Sequence, residues 1–353
     1  MAELERRWLF FPNFSESSPY QNSLAAGLTH HGYTVWPGTI TDAAGAAVFH
    51  LGWEQPVYIA ATTEDEAASL TIAFLAALDA FRAAGGLFVW TMHNLAPHEE
   101  RFPAVNAAMQ RELALRAHVI HVHNQTGAAH AIALGVHAST IVLARHPRYS
   151  DAYPDDVDDR AARRYLSLDP ADTVFSFFGA IRGYKGIPRL LRAFETVSAT
   201  RPELRLVIAG RCVQPNPARV QTPDPRLRIL SRDIADAEIQ YVIRAADCVV
   251  LPYEAILTSG ALALAQGFGR PAIVPDLPSM AEEVTDGVNG FLYAARSDDA
   301  LAAVLGRAAD AVAQMRGPMR VAARATVAHR SFAALAGTLA AAVAACTSLR
   351  LAA

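Results

Sequence analysis

Residues 253–290 read YEAILTSGALALAQGFGRPAIVPDLPSMAEEVTDGVNG, and the predicted architecture is built around this segment. An apolar run with strand character, residues 248–251, leads into it, and a helix is predicted to begin at 258–260. The helix ends at Gly267, and a second apolar strand follows over residues 272–274. This order of strand, helix and strand is typical of a parallel α/β sheet, whose ligand sites lie beyond the carboxyl ends of the strands.

The turn between the first strand and the helix combines a carboxylate, two hydroxyls and a glycine. Glu254 can accept hydrogen bonds from the hydroxyls of a sugar or a ribose. Thr258, Ser259 and Gly260 stand at the start of the helix, where unpaired N–H groups and the helix dipole favour a phosphate. The turn therefore suits an anionic ligand that is rich in hydroxyl groups.

A second segment, FFGAIRGYKG at residues 177–186, also lies between a predicted strand and a predicted helix. Its glycines, Gly179 first among them, allow tight turns and a close approach of the backbone. Arg182 and Lys185 add two cations that suit a diphosphate, because arginine can bind bidentately and lysine is a compact charge. The spacing is neither that of a G-x-x-x-x-G-K-[ST] loop nor that of G-x-G-x-x-G, which weakens a nicotinamide hypothesis.

Length and composition limit the class of protein. The 353 residues exceed the usual size of one hydrophobic core, so two domains are expected. Hydrophobic residues make up 52% and charged residues 18%, which is typical of a globular protein and excludes a disordered one. A net charge of -3 with interspersed signs predicts no nucleic-acid partner. Three widely separated cysteines predict no disulfide framework and favour a cytoplasmic location.

Two apolar segments are candidates for export or membrane signals, and neither meets the requirement. Residues 8–11 are too short and too close to acidic residues for a signal peptide. Residues 332–346 are mostly alanine and fall short of the roughly 20 apolar residues that a bilayer requires. Arginines between 101 and 116 leave a peripheral contact with the inner face of a membrane open, although a solvated helix face explains them as well.

Strands and helices alternate along both halves of the chain, which predicts an α/β protein with two serial domains and a parallel sheet in each. The first domain is expected over residues 1–150 and the second over 151–328, with an acidic turn where they join. A final helix is expected within residues 329–353. The longest predicted helices cover residues 64–84 and 298–315.

Histidines gather where strands of the first domain end. The predicted strand 87–91 is followed by His93, at a position where ligands bind in parallel sheets. His121 and His123 alternate on another predicted strand, with His118 close by, and a metal site is the alternative to a structural role. Because no cysteine or carboxylate stands at ligand spacing, we predict no metal.

The segments 177–186 and 253–291 together resemble the donor-binding half of GT-B glycosyltransferases, especially family four and related bacterial polysaccharide mannosyltransferases. The resemblance is strong over residues 173–293 and looser in the first domain, at 91–94 and at the turn 146–147. It implies two Rossmann-like domains with a cleft between them. It also implies that the final helix returns to the first domain.

Several site residues follow from this resemblance. Arg182 and Lys185 match the basic pair that neutralises the donor diphosphate, and Glu254 matches the first acid of an E-x7-E element that recognises the donor. The backbone that receives phosphate oxygens corresponds to Thr258, Ser259 and Gly260. The segment against which the base packs corresponds to Arg232, Asp233 and Ile234.

One departure from the family concerns the second acid of that element. Leu262 stands where the spacing from Glu254 requires a glutamate, so the usual ribose contact is missing at this position. Glu282 or Glu283 is the candidate that could contribute nearby. The departure bears on the identity of the donor and on activity itself.

The implied activity is transfer of a hexose from a nucleoside diphosphate sugar, such as a GDP- or UDP-hexose, to a saccharide, a lipid-linked glycan or a natural-product acceptor. The donor is a substrate, and no separate cofactor is expected. Negative charge develops on the leaving diphosphate, where Arg182, Lys185 and the helix start would stabilise it without a metal. The resemblance points to polysaccharide biosynthesis.

The stereochemistry stays open at this point. An inverting enzyme needs a base at the acceptor hydroxyl, and His93 is the best placed candidate, with Glu99 and Glu16 behind it. In a retaining relative, a histidine at this position would contact the donor sugar. Two other functions are left: a nucleotide-sugar epimerase on the same fold and, because of Leu262, a non-catalytic nucleotide-sugar binder.

Overall fold

The structure is a computed structural model of the chain, and it describes residues 6–12, 19–96, 101–149, 152–213 and 224–352. The chain divides into two compact units. Unit 1 consists of Met1–Arg145 and Arg330–Ala353, and unit 2 consists of His146–His329. The boundaries expected from the sequence, after residues 150 and 328, lie a few residues from this division.

Unit 1 is built on a sheet of six strands in the order β2-β1-β3-β4-β5-β6, and every pair of neighbours is parallel. In chain order the strands are β1 (Arg7–Phe11), β2 (Thr34–Pro37), β3 (Val48–Leu51), β4 (Leu87–Met92), β5 (Val119–Val122) and β6 (Ile141–Leu143). The helices of this unit are α1 (Pro19–His30), α2 (Glu64–Ala83), α3 (Pro103–Arg116), α4 (Gln125–Ala133) and, from the end of the chain, α11 (Phe332–Ala352).

Local sequence explains where α2 begins. Thr63 is its N-cap, and the Thr63 side chain accepts a hydrogen bond from the backbone N–H of Glu66. Glu64 and Asp65 also lie in the first turn, where carboxylates complement the positive end of the helix dipole. The helix is amphipathic enough to cover the sheet with Phe74 and Leu78, which are buried.

The final helix, α11, packs against α1 within unit 1. Gly27 of α1 makes this close approach feasible, because a Cβ atom there would lie 2.8 Å from the Cβ atom of Ala336. Phe332 and Leu339 are buried on the same side. By length and composition alone, the helical stretch Asp298–Leu349 would suffice to cross a membrane, a criterion that core helices of soluble proteins also meet.

Unit 2 is built on a second parallel sheet of six strands, in the order β12-β11-β10-β7-β8-β9. The strands are β7 (Thr173–Phe178), β8 (Leu204–Ala209), β9 (Leu227–Leu230), β10 (Cys248–Val250), β11 (Ala272–Pro275) and β12 (Gly290–Tyr293). The helices are α5 (Asp159–Tyr165), α6 (Ile187–Ser198), α7 (Asp236–Ala245), α8 (Gly260–Gly267), α9 (Pro278–Ala281) and α10 (Asp298–Val327). The predicted fold class, α/β with a parallel sheet in each of two units, is confirmed.

Two elements of unit 2 differ from the sequence prediction. The helix expected over residues 298–315 continues to Val327, because the backbone kinks at Met315 and a second helical stretch begins there. Pro318 falls in the first turn of that stretch, where a missing N–H costs little. The strand β12 was not predicted, because it is short and begins at Gly290, whose added Cβ would lie 2.3 Å from the carbonyl oxygen of Ala272.

A buried ion pair holds the amino ends of the strands of unit 2 together. Asp247, which precedes β10, is 1% exposed, and its Oδ2 atom lies 2.8 Å from Nη2 of Arg163. The same oxygen accepts a hydrogen bond from the backbone N–H of Val174 at 2.9 Å. On the other side, Nε of Arg316 lies 3.2 Å from Asp247 Oδ1.

Replacing Asp247 with asparagine should therefore lower the free energy of unfolding by about 3 kcal/mol, because Arg163 would be left buried without its counter-charge. Chemical denaturation followed by circular dichroism measures this change. The matched control is Asp310→Asn, which breaks the exposed pair with Arg201 and should cost less than about 1 kcal/mol. Equal effects of the two substitutions would contradict a special role for the buried pair.

Candidate functional site

The two segments singled out in the sequence leave neighbouring strands of the unit 2 sheet. β7 ends at Phe178 and β10 ends at Val250, and these two strands pair directly. Both segments therefore begin at the carboxyl edge of the sheet, side by side. This edge is where ligands bind in open parallel α/β sheets.

Backbone contacts join the two segments. Gly186, the last residue of the glycine segment, has φ 69°, and a Cβ atom there would lie 1.9 Å from the carbonyl oxygen of Pro252. The N–H of Glu254 donates a hydrogen bond of 3.0 Å to the carbonyl of Tyr184. Only a glycine fits at position 186, because both the left-handed conformation and the short contact exclude a side chain.

Lys185 links the glycine segment to the start of α8. Its ammonium nitrogen lies 4.9 Å from the ring centroid of Tyr184 and 4.5 Å from that of Tyr253. The hydroxyl of Tyr253 is 2.9 Å from the hydroxyl of Ser259, which caps α8. The cation, two aromatic rings and the helix start thus form one contiguous group, which we call the lysine cluster.

The surroundings of Lys185 in this cluster disfavour its charged form. Partial burial of the side chain and the nearby positive charge of Arg182 lower the pKa of Lys185 from 10.5 to about 8. Among the described residues, no carboxylate forms an ion pair with Lys185. Two cations placed together without a neutralising partner for the lysine are the arrangement expected where an anion is to be bound.

The start of α8 is ordered by its own side chains. Ser259, which is buried, accepts a hydrogen bond of 3.1 Å from the N–H of Leu262. Thr258 precedes it and is half-buried. The ring of Tyr149 covers Gly260, because a Cβ atom on Gly260 would meet that ring at 3.0 Å. Only a glycine leaves room for this ring at the start of α8.

Glu254 faces an arginine and is half exposed. Its Oε1 atom lies 3.7 Å from Nη2 of Arg189 on α6, and its side chain is 50% exposed. Arg189 also binds Asp298, the first residue of α10, at 2.9 Å. A second carboxylate therefore stands near Glu254, across Arg189, and sequence reasoning missed it because it comes from a helix 44 positions further along the chain.

Leu262, where the E-x7-E pattern has its second acid, is 2% exposed and belongs to the core of unit 2. We predict that Leu262→Glu will not create a donor contact and will lower the free energy of unfolding by about 3 kcal/mol, because the core would lose a leucine and gain a carboxylate. Denaturant unfolding checks the stability. A matched control, Ala303→Glu on α10, should change stability little because that side chain is exposed.

The segment expected to pack against a nucleotide base makes other contacts. Arg232 donates two hydrogen bonds of 2.7 Å to the carboxylate of Glu238, which raises the pKa of Arg232. Asp233 is exposed and lies 3.4 Å from Arg211. Ile234 is half-buried against the core of unit 2. The contacts described for Arg232 and Asp233 thus lie outside the lysine cluster.

The remaining predicted residues of unit 2 are placed as follows. Gly179 has φ 133°, a conformation that favours glycine, and no protein atom lies within 4 Å of a Cβ atom added to it. Glu282 caps the carboxyl end of the short helix α9 and is half-buried. Glu283 follows it, and its carbonyl accepts hydrogen bonds from Gln266 at 3.0 Å and from Asn289 at 3.0 Å.

In unit 1, His93 lies just beyond the carboxyl end of β4 and is 4% exposed. Its ring stacks on Trp53, with centroids 4.1 Å apart and planes 8° apart. Tyr20 of α1 meets the His93 ring edge-on at 4.8 Å. The other two candidates for a base, Glu16 and Glu99, lie outside the described residues.

A buried carboxylate supports this edge of unit 1, and no sequence pattern singled it out. Glu54 accepts a hydrogen bond of 2.9 Å from Gln110, and burial raises the pKa of Glu54. Gln110 also donates to the carbonyl of Asn94 at 3.3 Å. Glu54 thus helps to fix the residues that follow His93, through a partner on α3.

His121 of β5 and the histidines just before and after this strand bind backbone and hydroxyl groups. His118 Nδ1 accepts a hydrogen bond of 2.9 Å from the N–H of Phe88, and His121 and His123 both contact the carbonyl of Ala144. In the described part of the chain, no group of three or more histidine, cysteine, aspartate or glutamate side chains is arranged to hold a metal ion.

Comparison with known proteins finds a family match within unit 2. Residues 172–310 match the family model described as glycosyl transferases group 1. A D-inositol 3-phosphate glycosyltransferase from Mycolicibacterium gilvum is 32% identical over 173 residues, which are 46% of this chain and 37% of that protein. A GDP-mannose:glycolipid 4-beta-D-mannosyltransferase from Xanthomonas campestris is 29% identical over 230 residues, 60% of this chain and 57% of that protein. The chain thus aligns with less than two thirds of either relative.

Solved structures resemble the chain over nearly its whole length. HepE from Anabaena, crystallised with UDP-glucose, has a TM-score of 0.72 and 16% identity, and the match covers 97% of this chain and 99% of that one. Sucrose-phosphate synthase from Thermosynechococcus elongatus has a TM-score of 0.74 and 14% identity, over 96% and 99% of the two chains. At these identities the likeness shows the fold, which is of the GT-B type. Residues 172–310 of this chain form a glycosyl transferases group 1 domain.

Proposed function

We propose that this protein is a glycosyltransferase that moves a hexose from a nucleoside diphosphate sugar to a hydroxyl group of an acceptor. The observation that carries the proposal is the lysine cluster. In it Lys185 contacts Tyr253, whose hydroxyl bonds to Ser259 at the start of α8. The ammonium group of Lys185 and the N-terminus of α8 are therefore connected through Tyr253, an arrangement that suits a leaving diphosphate.

The residues of unit 2 have distinct roles in this proposal. Lys185 and Arg182 oppose the negative charge that grows on the diphosphate as the anomeric C–O bond breaks, and the N–H groups at the start of α8 add to their effect. Glu254, half exposed beside Arg189, accepts hydrogen bonds from hydroxyls of the donor. Asp298 holds Arg189 in place for this contact.

The acceptor is a saccharide, a glycolipid or another small hydroxyl compound, and His93 of unit 1 contacts the reacting sugar. The relative from Xanthomonas campestris acts on a glycolipid according to its name. A role in polysaccharide biosynthesis at the cytoplasmic face of a membrane, with peripheral contact, is the matching biological setting. The reaction needs no cofactor beyond the donor, and the base is that of GDP or UDP.

The alternative functions have less support. An epimerase on the same fold and a non-catalytic binder remain compatible with the fold, but the relatives named above carry transferase names. The hypothesis of a non-catalytic binder was based on Leu262, which replaces the second acid of the pattern. Asp298 supplies a second carboxylate near Glu254, on the other side of Arg189. The transferase is therefore the function that we put to the test.

A thermal-shift screen with GDP, UDP, ADP and dTDP is the first experiment. A ligand at about 100 times its Kd stabilises the protein by about 2.7 kcal/mol, which is readily detected. The donor sugars of the stabilising nucleotide are then incubated with acceptor mixtures, and release of nucleoside diphosphate is measured. Interconversion of the donor without an acceptor would favour the epimerase, and binding without release would favour the binder.

Glu254→Gln should lower the transfer rate at least tenfold and leave the melting temperature within a degree or two of wild type, because the side chain is half exposed. Glu195→Gln is the matched control, since Glu195 is an exposed carboxylate on α6 of the same unit. If Glu254→Gln loses stability and transfer together, its role is structural.

A further inference from the structure

A row of buried hydrogen bonds crosses the carboxyl half of the unit 1 sheet. Nε2 of His50 lies 2.7 Å from the hydroxyl of Thr91, which lies 3.1 Å from Nδ1 of His121. Nε2 of His121 is 3.0 Å and Nδ1 of His123 is 3.1 Å from one carbonyl oxygen, that of Ala144. His121 and His123 therefore share one backbone acceptor, the carbonyl oxygen of Ala144.

A second bond continues from His123 to α1. Nε2 of His123 lies 3.2 Å from the hydroxyl of Tyr20. Tyr20 and His123 are 5% and 3% exposed, so both lie in the interior at the edge that carries His93. The Tyr20 ring also contacts Trp53, with ring centroids 6.1 Å apart, and Phe332, at 5.5 Å.

The carbonyl of Ala144 fixes the tautomers of both rings. A carbonyl oxygen can only accept, so His121 must carry hydrogen on Nε2 and His123 must carry hydrogen on Nδ1. In the neutral rings the opposite nitrogens are acceptors. Thr91 therefore donates to Nδ1 of His121, and Tyr20 donates to Nε2 of His123.

The surroundings of His50 favour its neutral ring. Burial, and the neighbouring His121, hold the pKa of His50 well below 6.5. The titratable groups against His123 include Tyr20 on α1, His93 beyond β4 and His121 two residues before it on β5. A neutral His123 with an acceptor nitrogen is able to take one more proton and still keep its bond to Ala144.

We propose that Tyr20 receives the hydroxyl of the acceptor substrate and that His123 takes up the proton through it. This inference rests on the proposed function. As the new glycosidic C–O bond forms and the bond to the diphosphate breaks, the acceptor hydroxyl gives its proton to the Tyr20 oxygen. Tyr20 passes its own proton to Nε2 of His123, which becomes an imidazolium. His123 is thus a positioning residue, while Tyr20 contacts the substrate.

Four substitutions separate these roles. Tyr20→Phe removes the hydroxyl. His123→Gln brings an oxygen acceptor toward the position of Nε2 but cannot take a proton, and His123→Asn keeps a donor for Ala144 without reaching Tyr20. Thr91→Val is the matched control, because it cuts the bond to His121 and leaves the bond between Tyr20 and His123 in place.

Release of nucleoside diphosphate from UDP-glucose and from GDP-mannose is measured for each protein, with water as the acceptor and then with acceptor mixtures. We expect Tyr20→Phe and both His123 variants to lower kcat about 100-fold, with KM for the donor unchanged. Thr91→Val should stay close to wild type. The acidic limb of the kcat profile, where His123 binds a proton, should disappear in His123→Gln.

The proposal is overturned if Tyr20→Phe keeps the wild-type kcat, or if Thr91→Val loses as much as Tyr20→Phe. Both of these outcomes require an active wild-type protein. Failure of the proposed function differs from them, because the wild-type protein would then release no nucleoside diphosphate from any donor. Ring ¹⁵N spectra of protein with labelled histidine test the hydrogen-bond row independently of activity. We expect hydrogen on Nδ1 of His123, and hydrogen on Nε2 instead would overturn the assignment.

Discussion

Replacing Lys185 with methionine should weaken the binding of a nucleoside diphosphate about 10- to 100-fold and should raise the melting temperature of the unliganded protein. The loss of affinity follows from the removal of a charge-assisted bond, worth about 1.5–3 kcal/mol. The gain in stability follows because the folded protein holds the pKa of Lys185 down to about 8. Folding without an anion therefore works against the charged form of this side chain.

The sign of the pH dependence follows from that lowered pKa. Between pH 8 and 10.5 the unfolded chain binds the proton of Lys185 and the folded chain has released it, so this cost of folding is full below pH 8 and fades as the pH rises. The stability difference between the variant and the wild type should thus be largest near neutral pH. Diphosphate affinity of the wild type should fall above pH 8, where the cation is lost.

Lys185 is the only lysine in the chain, which makes the measurement direct. Reductive methylation with ¹³C-formaldehyde labels this side chain and the terminal amine, and the NMR shift of the lysine methyl groups followed against pH reports its pKa. Isothermal titration with GDP and UDP gives the affinities. Arg201→Met, which removes a cation paired with Asp310, is the control. A measured lysine pKa near 10.5 would contradict the inference that the lysine cluster disfavours the charged form of Lys185.

Gly186→Ala should be among the most damaging single substitutions in unit 2. The new Cβ atom would lie 1.9 Å from the carbonyl oxygen of Pro252, and the residue would have to keep a φ of 69°. A backbone carbonyl in a packed core cannot move aside as a side chain can. We expect a loss of more than about 4 kcal/mol in the free energy of unfolding, and no detectable binding of a diphosphate.

Gly287→Ala is the matched control for this substitution. Its φ is 73°, and nothing lies within 4 Å of an added Cβ atom, so it carries the conformational strain without the clash. The strain alone should cost about 1 kcal/mol. Urea denaturation of both variants separates the cost of backbone strain from the cost of the steric clash. Similar losses in the free energy of unfolding would show that the contact with Pro252 relaxes at little cost.

The parts of this protein that the sequence predicts well depend on neighbours along the chain. Thr63 and the acids after it mark the start of α2 within a few residues, and Ser259 marks α8 in the same way. No local sequence signal predicts the kink at Met315. Pro318 suggests the end of a helix, but in the structure it lies in the first turn of a second helical stretch. The fold class follows from many such signals together, so it tolerates individual errors.

The candidate site is less predictable because its contacts join distant residues. Lys185 could be selected from its glycines, but its place between Tyr184 and Tyr253 depends on the pairing of β7 with β10. Arg232 could be selected from a family pattern, and its bidentate bond to Glu238 was not foreseen. In the same way, the carbonyl of Ala144 carries no sequence signal, although it sets two histidine tautomers.

The packing of α11 on α1 has a consequence for synthesis on the ribosome. Unit 2 is one continuous segment, whereas unit 1 lacks its last helix until residues beyond Arg330 have emerged. Until then Tyr20 and Gly27 of α1, which are buried in the finished protein, lack the contacts with Phe332 and Ala336 that α11 provides. We therefore expect the second unit to reach its native state before the first, and nascent chains arrested short of the last helix to recruit chaperones through α1.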